Sequence, residues 1–175
     1  MAGLYSKVHL NFGQKILKIL KVRKKSSTTE PICVHLRLKE NGQQSLKQSK
    51  TSKKFVYLIS PNKIEDESFY TNLALVLSTK KISFFQLRLK KETSLNKLMI
   101  GKKIKKICKK YKVKFLINDD PLLAKKLNAD GCHLGQKDMD LIKARKILKN
   151  KIIGVTCHNS INLAKIAIKA GADYL

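Results

Sequence analysis

Three short stretches of this chain place chemically able side chains at spacings a parallel strand can use. In Gln86-Leu87-Arg88-Leu89-Lys90 the amide and the two cations alternate with leucines, so a strand puts Gln86, Arg88 and Lys90 on one side and the leucines on the other. A guanidinium chelating two oxygens beside an ammonium is chemistry for a phosphate or diphosphate; a lysine-rich strand end meeting solvent is the plainer alternative. Asn118-Asp119-Asp120 follows the apolar run Phe115-Leu116-Ile117, and Asp138 follows Gly135-Gln136-Lys137. Asp119 and Asp138, carboxylates just past two neighbouring strand ends, suit a Mg2+ that completes its shell with water and substrate phosphate. Asp120 before Pro121 reads instead as a helix N-cap with proline at the first helical position, and starting the next helix in the same way is the plainer alternative for Asp138.

The remaining candidates are weaker. His133 lies inside a short strand between Cys132 and Leu134, where a histidine is more often packed and hydrogen-bonded than catalytic. Thr156-Cys157-His158 ends the next strand, with no acid at a fixed spacing to make a Cys-His nucleophile of it.

The elements that must position these residues are legible from residue 55 onward, where short apolar runs alternate with stretches of helical period. The pattern predicts strands at 55–60, 84–89, 114–118, 131–134 and 152–156, with another starting at 174. Helices are predicted near 65–79, 98–111, 121–127, 140–148 and 159–170. Strands alternating with helices pair in parallel through crossovers. A weak repeat supports one unit built more than once: Leu123-Ala124-Lys125 leading to Ala129-Asp130-Gly131 is echoed by Leu163-Ala164-Lys165 leading to Ala172-Asp173-Tyr174. The polar residues gather where strands end, which in a (β/α)8 barrel is a single rim and the usual place of an active site.

Composition bounds the rest. Of 175 residues, 43% are hydrophobic, enough for a core and too many for wholesale disorder. Lys and Arg number 38 against 12 Asp and Glu, a net charge of +26. Only Arg23, Arg37, Arg88 and Arg145 are arginines, so the excess reads as a lysine bias more than as a surface built to fork onto nucleic acid. Residues 1–54 carry a net +11 of it and are rich in Ser, Thr, Gln and Lys between 24 and 54, which marks a basic, weakly structured extension. The expected domain is 55–175. Cys33, Cys108, Cys132 and Cys157 form no C-x-x-C pair, so free thiols in a cytoplasmic protein are expected. No apolar stretch is long enough to span a membrane.

Taken in order, Gln86-Leu87-Arg88-Leu89-Lys90, Phe115 to Asp119, Ala129 to Asp138 and Ile153 to His158 resemble the thiamine-phosphate synthase family. The resemblance implies an α/β fold of the (β/α)8 TIM-barrel type, here incomplete at about five βα units and the start of strand six. It implies a transferase that couples hydroxymethylpyrimidine diphosphate to thiazole phosphate with release of pyrophosphate. By position, Gln86, Arg88, Lys90, Asn118 and Thr156 would bind substrate, with Arg88 and Lys90 the catalytic cations, and Asp119 and Asp138 would be the Mg2+ ligands. Thr156 stands where the family usually has serine, and Asp120 where it commonly has a basic residue. No counterpart of the family's Thr-x-Thr-Lys loop or of its last phosphate loops follows Leu175, so the chain is expected to be C-terminally truncated, inactive in that form, and open to self-association through its sheet edge. Two other readings are a thiazole tautomerase relative, which would not need the Gln-x-Arg-x-Lys strand with both aspartates, and a basic protein binding nucleic acid or a membrane surface. The latter lacks interleaved aromatics and any RNA-binding signature.

Overall fold

The computed structural model describes residues 56–175; the extension at 1–54 and Cys33 lie outside them. Five strands alternate with five helices: β1 (Val56–Ile59), α1 (Ser68–Ser78), β2 (Ile82–Leu87), α2 (Ser94–Lys110), β3 (Lys114–Asn118), α3 (Pro121–Lys126), β4 (Gly131–Leu134), α4 (Leu141–Leu148), β5 (Ile152–Val155) and α5 (Ile161–Lys169). All pairs are parallel and the order across the sheet is the order in sequence. A doubly wound sheet reverses its strand order partway; an unbroken sequential order is that of a barrel wall. A single parallel bridge from Gly154 to Tyr174 starts a sixth position, and among the described residues the barrel is not closed.

Alternation along the strands divides the sheet into two chemically different faces. Leu58, Phe85, Leu87, Phe115, Ile117, Cys132, Leu134, Ile153 and Val155 pack with helix residues such as Leu73, Leu77, Ile104, Ala124, Ala144 and Leu148 in one apolar core. Fully burying each large side chain there contributes about 2 kcal/mol. The other parity carries Tyr57, Gln86, Asn118 and His133, a polar inner face. Cys108, Cys132 and Cys157 are free and buried, and burial pushes the Cys108 thiol up to about 12, so it stays protonated and inert at neutral pH.

Helix starts follow local hydrogen bonding. Thr93, Asp120, Asp140 and Ser160 each accept from a first-turn backbone N–H, the distance being 2.9 Å from Leu123 to Asp120; Asp120 is thus a cap, with Pro121 behind it. Helix α2 starts four residues earlier than periodicity indicates, because its first turn is polar apart from Leu95, which is 65% exposed, and shows no apolar period. Strand β2 is also displaced, running 82–87 instead of 84–89. Its ladder with β3 ends at Leu87 opposite Ile117, while Ser60 takes over, accepting from the Arg88 N–H at 2.8 Å. The alternation of Gln86, Arg88 and Lys90 therefore continues past the last paired residue.

The Ala-Asp repeat is one device used twice. The Asp130 N–H donates to Phe115 O and Asp130 Oδ2 accepts from Phe115 N, at 2.8 and 2.9 Å. Asp173 does the same with Ile153, both at 2.8 Å. Each aspartate clasps the start of the preceding strand. In both copies the residue two before the aspartate turns left-handed, Asn128 at φ 48° and Gly171 at φ 89°, a conformation that Asn and Gly adopt most cheaply. Arg145 completes the second clasp, donating to Asp173 Oδ2 and Gly171 O at 2.6 Å.

Candidate functional site

The C-terminal ends of β2 to β5 meet at one rim, where most of the candidate residues touch. Asp119 adopts a left-handed φ of 65°, one of the few non-glycine types that tolerates it, while its N–H donates to His133 O at 2.8 Å. The carboxylate is thereby placed beside that of Asp138, and Lys90 Nζ stands 3.8 Å from Asp119 Oδ2. Partial burial, then the neighbouring Asp138 carboxylate, raise the Asp119 pKa, against the pull of Lys90 and Arg88. Asp138 caps no helix; that role belongs to Asp140. Asp138 Oδ2 instead accepts from Gly135 N at 2.6 Å, closing the turn that aims it at Asp119.

Two carboxylates held together against their mutual repulsion are a donor set suited to a hard divalent cation, and one or two carboxylates suffice for Mg2+. Among the described residues no group of three or more His, Cys, Asp or Glu side chains gathers, so any such ion would take the rest of its shell from water and ligand. A pocket of about 70 Å³ reaches Lys90, Asn118 and Asp119 from the helix side. That is room for about two waters, so a larger ligand has to lie on the open rim.

Arg88 Nη1 donates to Asn62 Oδ1 at 2.7 Å, which holds the guanidinium beside the loop after β1, and its charge also acts on Asp119. Gln86 is 3% exposed and donates from Nε2 to Asn118 Oδ1 in a short hydrogen bond. Its Oε1 accepts from Tyr57 OH at 2.9 Å. Tyr57 and Tyr174 hydroxyls meet at 2.8 Å, Tyr174 OH meets His133 Nδ1 at 3.0 Å, and His133 Nε2 meets Thr156 Oγ1 at 2.8 Å. Asn118, Gln86, Tyr57, Tyr174, His133 and Thr156 are thus one chain of hydrogen bonds across the polar face. Burial lowers the His133 pKa to about 4, the Asp138 charge opposing it, and burial raises both tyrosines. The interior of the chain is therefore uncharged at neutral pH.

Tyr57, Asn62, Gln136 and Tyr174 carry no site role in the sequence motifs, yet they tie the site residues together. Gln136 Nε2 donates to Thr156 O at 2.5 Å, fixing that strand end. A signal for Tyr174 exists in Gly154: a Cβ there would lie 2.0 Å from Tyr174 Cζ, so only glycine lets the ring lie across β5. Conversely, Cys157 is buried while His158 is exposed with φ 50°, and the two form no nucleophilic pair.

A sequential parallel sheet with acids, cations and amides collected at its C-terminal rim is the architecture of a barrel-type α/β protein, whose sites lie at that rim. Comparison with known proteins makes this specific. The family model for thiamine monophosphate synthase matches residues 56–175, and the chain belongs to that family. It is 87% identical over 130 residues to the thiamine-phosphate synthase of Pelagibacter ubique, covering 74% of this chain and 63% of the relative. To that of Marinobacter nauticus it is 46% identical over 91 residues, covering 51% of this chain and 41% of the relative. The thiamine phosphate pyrophosphorylase from Pyrococcus furiosus superposes with a TM-score of 0.60 at 28% identity, over 67% of this chain and 56% of that one. The chain therefore spans less than two thirds of the length of these relatives.

Proposed function

We propose that this chain carries the pyrimidine-diphosphate side of a thiamine-phosphate synthase, a Mg2+-dependent transferase that joins hydroxymethylpyrimidine diphosphate to thiazole phosphate and releases pyrophosphate. The observation that carries the reading is the juxtaposition of Lys90, Asp119 and Asp138 on one rim, at the end of the Gln86-Asn118 amide pair. Arg88 and Lys90 supply fixed positive charge for the diphosphate, and Arg88 is pre-oriented by Asn62, so little is reorganised as the leaving group gains charge. Asp119 and Asp138 would hold the Mg2+, which when bound would neutralise the departing pyrophosphate. Asn118 and Thr156 would bind the organic part of the substrate. Such a displacement proceeds by positioning and electrostatics and asks no protein nucleophile of the chain, which agrees with the absence of an activated cysteine among the described residues.

Calorimetry with inorganic pyrophosphate tests this: binding should require Mg2+ and be lost in Asp119→Asn, and equal binding with and without Mg2+ would overturn the metal assignment. Formation of thiamine phosphate from the two substrates tests the activity itself. The free, buried thiols of Cys108, Cys132 and Cys157 support a reducing, cytoplasmic site of action; no helix among the described residues is long and apolar enough to cross a membrane. The exposed Val56 and Ile59 of β1 support self-association through the sheet edge, to be read from the mass in solution by light scattering.

A further inference from the structure

The hydrogen-bond chain from Asn118 to Thr156 has a direction that follows from counting protons. Gln86 gives its N–H to Asn118 and takes the Tyr57 hydroxyl proton on Oε1. A phenol has one proton to donate, so the proton between Tyr57 and Tyr174 at 2.8 Å belongs to Tyr174. Tyr174 then has none left for His133, and the ring must donate from Nδ1 across the 3.0 Å contact. A neutral imidazole with its proton on Nδ1 is a bare acceptor at Nε2, so the Thr156 hydroxyl donates to it over 2.8 Å. Each link settles the next one.

We propose that Tyr57, Tyr174 and His133 are positioning residues that hold His133 in its Nδ1–H tautomer, and so turn the Thr156 hydroxyl proton inward and its lone pairs toward the ligand. The opposite end is set by the same order: with Oδ1 engaged by Gln86, Asn118 offers its Nδ2 donor. The inner face thereby presents an acceptor on β5 and a donor on β3, a preference for a ligand whose N–H faces Thr156. Gly154 belongs to the device, since it admits the Tyr174 ring. The part concerning the ligand rests on Thr156 being a substrate contact as proposed above; the tautomer itself does not.

The decisive variant acts two links away from the histidine. Tyr57→Phe removes the acceptor that holds the Tyr174 proton, freeing it to donate to His133 Nδ1 and driving the ring to the Nε2–H tautomer. The full chain, labelled with 15N-histidine, is examined by long-range proton-nitrogen correlation at neutral pH, the His133 signal being identified by its loss in His133→Gln. The expected result is an Nδ1–H ring in the wild type and an Nε2–H ring in Tyr57→Phe, with circular dichroism unchanged. A wild-type ring protonated on Nε2 or on both nitrogens, or a folded Tyr57→Phe with an unchanged tautomer, overturns the proposal. Thr156→Val provides a second check should Tyr57→Phe not fold: the ring stays Nδ1–H, because its state is set from the tyrosine side, and a switch would refute that order. For the ligand, Tyr57→Phe should weaken binding of hydroxymethylpyrimidine diphosphate about tenfold and leave Mg2+-pyrophosphate binding unaltered. Equal losses for both probes would show that Tyr57 acts on the whole site. A wild type that binds neither would sink the substrate reading while leaving the tautomer result standing.

Discussion

Four aspartates at the two ends of the same sheet behave in opposite ways. At the N-terminal end, Asp130 and Asp173 each accept a backbone N–H from the preceding strand and a cation, Lys114 at 3.0 Å and Arg145 at 2.6 Å. At the C-terminal end Asp119 faces another carboxylate, is raised in pKa by burial and by that neighbour, and has its ammonium partner at only 3.8 Å. The first pair is satisfied by the fold and holds it together. The second pair is held in place by the fold and left short of positive charge, in keeping with the cation site proposed above. Residue type alone does not separate the two roles; completeness of partners does.

The sharpest way to break this contrast is at Asp119. Asp119→Asn should weaken Mg2+-dependent pyrophosphate binding, read by calorimetry, by about 100-fold or more, equivalent to about 2.8 kcal/mol. The melting temperature should hold or rise, because carboxylate repulsion is relieved. A large loss of stability instead would put Asp119 in the structural class.

The polar inner face comes next. His133 titrates near its ordinary value of 6.5 when unfolded and at about 4 when folded, so the unfolded chain binds the extra proton between those values. Stability is therefore fully present above about 6.5 and is lost as the pH falls toward 4, by roughly 3 kcal/mol in all. Urea midpoints across that window measure it, and His133→Gln should flatten the slope; an unchanged slope would remove His133 from the acid response.

The clasps should cost less. Asp130→Ala and Asp173→Ala each leave a strand-initial N–H without its carboxylate, for about 2 kcal/mol of destabilisation in chemical denaturation, with Mg2+-dependent pyrophosphate binding intact in whatever fraction folds. Weakened ligand binding by the folded fraction would blur the two ends of the sheet. The smallest effect is expected at Asp120, chemically identical to its neighbour Asp119 but a cap: Asp120→Ala should lose about 1 kcal/mol, and Asp120→Ser should recover most of it.

Much of this arrangement is legible in the chain itself because it depends on near neighbours. The βα alternation, the cap at Asp120 ahead of Pro121, and the repeated Ala-Asp turn all depend on residues a few positions apart. Periodicity failed where neighbours from elsewhere intervene: β2 ends at Leu87 because the strands beside it and Ser60 stop its ladder there, and the first turn of α2 has almost no apolar side chain to announce it. The candidate site residues stand out as polar groups after apolar runs. The residues joining them do not, since Tyr57 and Tyr174 lie 117 positions apart and each reads as an ordinary strand aromatic.

Sequence by itself determined the repeating unit, the two parities of each strand and the scarcity of acids that makes Asp119 and Asp138 conspicuous, since all three are properties of local spacing and residue type. Tertiary structure alone decided that those two carboxylates face each other, that Arg88 is held by Asn62, and that six polar side chains link hand to hand from Asn118 to Thr156. The physical reason is that a hydrogen bond is directional and short, and whether two side chains share one is settled only when strands remote in the chain lie side by side.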